Sequence, residues 1–115
     1  MKKIRIAMLF ALVGLLSCTS DKGEVPACDN VNSSYSQRVA PIIAAKCAST
    51  GCHTGGALYA GDLDTYEQVK AKVDNGSFKL RVIDLKVMPP ASSTPLTADE
   101  YKILKCWCEA GAPDN

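Results

Sequence analysis

A short segment in the middle of the chain places two cysteines and a histidine close together. Cys47 and Cys52 are separated by four residues, and His53, the single histidine of the 115-residue chain, directly follows the second cysteine. Thiols form disulfides, metal bonds or covalent bonds to prosthetic groups, and an imidazole is a frequent metal ligand. We therefore expect the fold to bring these three side chains to one common ligand.

The order of these residues indicates an attachment site for a c-type haem. In the common C-x-x-C-H motif, both thiols bond to haem vinyl groups and the adjacent histidine becomes an iron ligand. The spacer here has four residues, so we interpret it as an expanded motif in which Gly51 helps the chain turn. Two alternatives are a disulfide between the two cysteines and a zinc site formed by cysteines 47, 52, 106 and 108.

The N-terminus predicts export and lipidation. Three cations precede an apolar run at residues 6–16, which is shorter than the roughly 20 residues needed to span a bilayer. Residues 15–18 then resemble the lipobox of bacterial lipoproteins, in which cleavage precedes a cysteine that becomes lipidated. We expect a signal peptide at residues 1–17 and a lipid anchor on Cys18, which places the protein on the exported side of a bacterial membrane, in the periplasm or at the cell surface.

The remaining chain divides into a polar tether at residues 18–34 and a domain at residues 35–115. After cleavage it has 10 basic and 12 acidic residues and no basic patch, so nucleic acid is not an expected partner. The membrane is contacted only through the lipid, because no second long apolar run follows.

Export also allows the cysteines to be assigned, because disulfides persist in oxidising compartments. With Cys18 lipidated and two cysteines bonded to haem, three of the six remain. We predict a disulfide between Cys28 and Cys106, with Cys108 as the alternative partner for Cys28. A disulfide that closes the long loop between Cys28 and Cys106 stabilises the fold by about 4 kcal/mol in the chain-entropy model.

Three helices are predicted for the domain. The first covers residues 39–48, with Pro41 in its first turn. The second covers residues 65–74, with Asp64 as N-cap and Glu67 completing a capping-box-like pair. Residues 77–87 alternate only partly and lead into a proline-rich stretch, so we expect an extended loop there.

The last helix has the clearest start and end signals. Thr97 and Glu100 form a capping box, Gly111 ends the helix, and Pro113 prevents its continuation. Glycines at positions 55, 56 and 61 predict a permissive loop after His53, where the chain would pass the edge of a haem.

Met88 is the expected second iron ligand. It is the single methionine left after cleavage, and two prolines follow it directly. A thioether opposite an imidazole fills both axial positions of the iron and raises its potential. The alternative is a methionine that fills space in the core. Arg81 or Lys86 could bind a haem propionate, although solvated charges are the simpler interpretation of both.

These residues together resemble the small mono-haem class I cytochromes c, in particular lipoprotein forms with a long attachment spacer. The resemblance spans residues 35–113. It is carried by residues 39–43, 52–53, 87–90, 96–97, 100, 107 and 111–113. It implies a compact all-α, cytochrome c-like fold of three to four short helices around one covalent haem c, with packed N- and C-terminal helices. It also implies His53 as the proximal ligand and Met88 as the distal ligand.

The function that follows is electron transfer between redox partner proteins of an exported or membrane chain. We expect no enzymatic activity and no small-molecule substrate, because no second histidine is present for acid–base chemistry and both axial positions of the iron would be filled. The alternative is a haem or zinc lipoprotein with a sensing or structural role.

Overall fold

The computed structural model describes residues 28–115, so the predicted signal peptide, Cys18 and most of the predicted tether lie outside the described residues. The helical elements are α1 (Ala40–Lys46), α2 (Tyr66–Asp74), α3 (Ala98–Glu109) and two π-helical segments, Tyr35–Val39 and Lys79–Asp84. Residues 28–115 contain no strand, which confirms the all-α class. No helix in this part of the chain is long and apolar enough to cross a membrane.

The N-terminal helical region begins earlier than the sequence predicts. The segment Tyr35–Val39 is already helical and continues into α1, which ends at Lys46 and carries Pro41 in its first turn. The C-terminus explains the early start, because Asn115 accepts hydrogen bonds from the backbone N–H groups of Tyr35 (2.8 Å) and Ser36 (2.8 Å). These contacts satisfy donors that a helix start otherwise leaves unpaired.

The predicted cap of α2 is wrong by one residue. Thr65, not Asp64, is the N-cap: its hydroxyl accepts from the Gln68 backbone N–H at 3.4 Å. The Gln68 side chain returns to the Thr65 N–H at 3.0 Å, so Gln68 rather than Glu67 completes the capping box. Threonine caps well because its backbone is extended while its oxygen still reaches the third helical residue.

Residues 79–84 are helical, so the predicted extended loop is wrong. Phe78 and Val82, four positions apart, are both buried, and the Phe78 ring lies edge-on to Trp107 with centroids 6.4 Å apart. The misleading alternation came from Leu80, Leu85 and Val87, which are about half exposed. A helical turn places Phe78 and Val82 on one buried face. The proline-rich stretch begins only at residue 89, after this turn has ended.

The core is built on α3, whose predicted capping box is present. Thr97 accepts from the Glu100 N–H at 3.2 Å and Glu100 accepts from the Thr97 N–H at 2.7 Å. Trp107 is fully buried, stacks obliquely on Tyr35 at 5.5 Å and donates its indole N–H to the Pro113 carbonyl at 3.0 Å. The N-terminal helical region therefore packs against the C-terminal helix.

A disulfide joins Cys28 to Cys106 on α3, the pairing expected from the sequence. Val31 packs against the core, so the last residues of the expected tether belong to the folded part. Cys108 is a partly buried free thiol. Burial raises its pKa to about 11, nearby Lys79 lowers it, and nearby Glu109 raises it further.

Candidate functional site

A cavity of about 610 Å³ lies beside the end of α1 and the residues that follow it. This volume falls within the usual range for small-molecule and cofactor sites. Cys47, Cys52, His53 and Met88 all line this cavity, although Met88 is 35 positions from His53 in the chain. The fold thus brings together the four side chains that the sequence singled out.

The two cysteines sit on either side of a compact turn. Cys47 directly follows α1, and its N–H donates to the Ile43 carbonyl at 2.8 Å. The Cys52 N–H donates to Ser49 at 2.9 Å, the His53 N–H returns to the Cys47 carbonyl at 3.3 Å, and Gly51 has a φ of +82°. The four-residue spacer is therefore accommodated by a turn that needs a left-handed residue.

Both thiols are free, so the structure does not form the alternative Cys47–Cys52 disulfide. Cys47 is buried, and burial raises the pKa of its thiol to about 11, with smaller contributions from Cys52 and Glu100. A thiol with such a pKa stays protonated near neutral pH and is slow to oxidise.

His53 is held by a backbone carbonyl. Its Nδ1 lies 2.8 Å from the Gly61 oxygen, and because a carbonyl only accepts, Nδ1 must carry the proton. In the neutral ring Nε2 then keeps its lone pair, which is the arrangement of a metal-ligating histidine oriented by a second contact. The sequence predicted a loop with a permissive backbone around Gly61 but gave no signal for this hydrogen bond.

The loop that supplies this carbonyl is fixed by Asp62. Its carboxylate accepts from the N–H groups of Gly56 at 3.1 Å and Ala57 at 3.0 Å, and the Gly61 N–H closes the turn onto the Ala57 carbonyl at 2.9 Å. The glycines are therefore used to build an ordered turn, and its position determines the orientation of the His53 ring.

Met88 is placed by the second π-helical segment. It is partly buried, and its N–H donates to the Arg81 carbonyl at 3.2 Å, next to the parallel bond from Val87 at 2.9 Å. The following Pro89 and Pro90 also line the cavity. The helical segment Lys79–Asp84, which the sequence did not predict, thus positions the backbone of Met88.

The cavity wall is apolar with a cationic margin. Leu63, Phe78 and Val82 contribute buried apolar surface, and no Asp or Glu is among the described residues that line the cavity. Arg81 is at the margin, whereas Lys86 lies 5.0 Å above the Tyr101 ring and does not line the cavity.

The structure does not assemble the alternative four-cysteine zinc site. Cys106 is bonded to Cys28. Within residues 28–115, the one set of three or more potential metal-ligating side chains with ligand atoms mutually within 4.8 Å is Cys28, Cys106 and Glu109, and it contains that disulfide.

Comparison with known proteins found no matching family model, no matching curated protein and no matching solved structure.

Proposed function

We propose that this protein is a c-type cytochrome that transfers electrons on the exported side of a membrane. The observation that carries the proposal is the meeting of two free thiols, one imidazole with an available Nε2 and one thioether on a single cavity. These are the groups needed to attach a haem covalently and to fill both axial positions of its iron.

The residues present fit a haem. Cys47 and Cys52 would carry the two thioether bonds, and His53 and Met88 would bind the iron. The apolar wall and the absence of carboxylates among the described lining residues suit a large aromatic macrocycle with anionic edge groups. When bound, the group supplies a one-electron change between ferric and ferrous iron.

The protein's own contribution is to orient His53 and Met88 and to shield the cavity wall from water. The Gly61 carbonyl fixes the tautomer and the angle of the His53 ring, and the Arg81 carbonyl fixes the backbone of Met88. Buried Phe78 and Val82 keep water from the cavity wall, and a low dielectric disfavours the more charged oxidised state. The low dielectric favours a relatively high reduction potential.

The same proposal includes a cytochrome c-like arrangement of the helices, a lipid anchor and redox partner proteins. The packing of the N-terminal helical region on α3 supports a cytochrome c-like arrangement. The export signal and Cys18 support a lipid anchor, and redox proteins of an exported or membrane chain are the partners. A haem held by both His53 and Met88 would favour electron transfer over catalysis.

The test is the mass of the polypeptide after denaturation and extraction with acidified solvent. Co-expression with haem-maturation proteins should give a red protein whose mass includes one haem, and Cys47→Ala with Cys52→Ala should abolish the retained mass. Cys108→Ala is the matched control, because it removes a free thiol that does not line the cavity. A colourless wild-type protein, or equal haem retention in the double variant, would contradict the proposal.

A further inference from the structure

The cationic margin of the cavity contains two charges without an anionic partner among the described residues. Three cations line the cavity: Lys46, Lys72 and Arg81. Lys46 donates to the Pro95 carbonyl at 3.2 Å and lies 4.0 Å from Glu100. Within residues 28–115, no carboxylate lies within ion-pair distance of Lys72 or Arg81.

The end of the Lys72 side chain lies close to Gly61, in the loop that orients the histidine. A Cβ at residue 61 would lie 3.2 Å from the Lys72 Nζ and 3.4 Å from its Cε, so glycine leaves the space that this side chain occupies. The side chain is partly buried, and a cation withdrawn from water gains from a nearby anion. The residues described by the structure supply none here, so an anionic ligand in the cavity would be its natural partner.

The surface next to Lys72 offers further donors. Asn75 and Ser77 line the same cavity. The side-chain amide oxygen of Asn75 already accepts a hydrogen bond from the Ser77 backbone N–H at 3.0 Å. The Asn75 amide NH₂ is therefore the part of that side chain available to a ligand. Arg81 adds a planar guanidinium, whose geometry matches a carboxylate.

We propose that Lys72 and Arg81 bind the two propionate carboxylates of the haem, with the Asn75 amide as an additional donor. The inference rests on the proposed function and adds to it the residues that fix the haem's acidic edge. Charge-assisted hydrogen bonds of this kind hold a carboxylate in its ionised form. The wild-type propionates are therefore ionised across mildly acidic to mildly alkaline pH.

The experiment measures the reduction potential of the haem-loaded protein as a function of pH. Wild type should give a nearly flat profile, because its carboxylates do not titrate in this range. Lys72→Gln and Arg81→Gln each remove a paired cation, so a propionate pKa rises. The potential should then fall as pH increases through it, since each new negative charge favours ferric iron. Lys79→Gln is the control: Lys79 pairs with Asp84 at 2.8 Å, does not line the cavity and should leave the profile flat.

Charge-conserving variants separate charge from shape. Lys72→Arg and Arg81→Lys should keep the flat profile. Loss of haem loading in a glutamine variant, with loading restored in its charge-conserving counterpart, also supports the inference. Failure of both variants of a pair to load haem indicates a purely structural role and overturns it.

The two proposals fail differently. Wild-type protein without covalent haem overturns the proposed function. Haem-loaded glutamine variants whose profiles coincide with those of wild type and Lys79→Gln overturn the propionate assignment alone.

Discussion

At the scale of single residues, the site depends on a few side chains whose neighbours fix their chemistry. His53 is defined by one carbonyl 2.8 Å from Nδ1, and Met88 by its backbone bond to Arg81. Cys47 and Cys108 both have a thiol pKa raised to about 11 by burial, and they differ in location: of the two, Cys47 lines the cavity and Cys108 does not.

Met88→Ala tests the proposal that Met88 is an iron ligand. We expect the haem-loaded variant to lose the weak ferric band of sulfur–iron ligation, to bind carbon monoxide and to have a lower potential, because the thioether stabilises ferrous iron. Optical spectra and redox titration measure these changes. Leu85→Ala changes an exposed apolar residue three positions before Met88 that does not line the cavity, and this variant should match wild type. Unchanged spectra in Met88→Ala would exclude Met88 as a ligand.

Cys108 predicts an alkaline loss of stability. Its pKa is about 11 in the folded state against an ordinary value of 9.0, so between these values the unfolded chain has lost a proton that the folded chain retains. Stability from this group is thus complete below pH 9 and decreases as pH rises towards 11, by about 1 kcal/mol after allowance for partial exposure. Denaturation of haem-loaded wild type and Cys108→Ala checks this. The gap between the two should change with pH, and parallel curves would contradict the prediction.

At the scale of elements, local signals located the three α-helices more accurately than they located the residues at which these helices begin. Both Thr65 and Thr97 cap helices through complete capping boxes. For α3 the sequence selected the right residue, whereas for α2 it selected Asp64, whose N–H donates to Gln68 at 2.8 Å instead. Several good caps in succession compete, and the backbone angles decide between them.

Two substitutions distinguish the capping residues of α2. Thr65→Ala should lower the free energy of unfolding by about 1 kcal/mol, because it leaves the Gln68 N–H without its acceptor. Asp64→Ala should change it by no more than a few tenths, since that side chain is exposed and makes no cap bond. Urea denaturation of the two variants measures the difference. A larger loss in Asp64→Ala would restore the sequence-based assignment.

At the scale of the whole molecule, the two ends of the described chain are tied together. The Cys28–Cys106 disulfide joins partners 78 positions apart, and Asn115 bonds to the first helical segment. Trp107 packs between Tyr35 and Phe78, so the N-terminal, middle and C-terminal segments meet at one side chain. The cavity is lined by residues from four parts of the chain, within 46–53, 59–63, 72–82 and 88–93.

Removing the disulfide should weaken the whole fold and not the site. Cys28→Ser with Cys106→Ser should lower the free energy of unfolding by roughly 2–4 kcal/mol, because the unfolded chain gains freedom. Chemical denaturation measures this loss, and the visible spectrum of the folded variant should remain that of wild type. Cys108→Ser should have a smaller effect on stability. Equal stabilities of the double variant and wild type would show that the bond contributes nothing in solution.

The sequence by itself determined the chemistry that this chain can offer: the closely spaced Cys47, Cys52 and His53, Met88 followed by two prolines, and the capping box that starts α3. These features depend on residue type and on neighbours only a few positions away. The tertiary structure decided the rest. It made residues 79–84 helical, set the Gly61 carbonyl against His53, and left Lys72 and Arg81 beside the cavity without carboxylates among the described residues. Those outcomes depend on packing between distant segments, which no local pattern encodes.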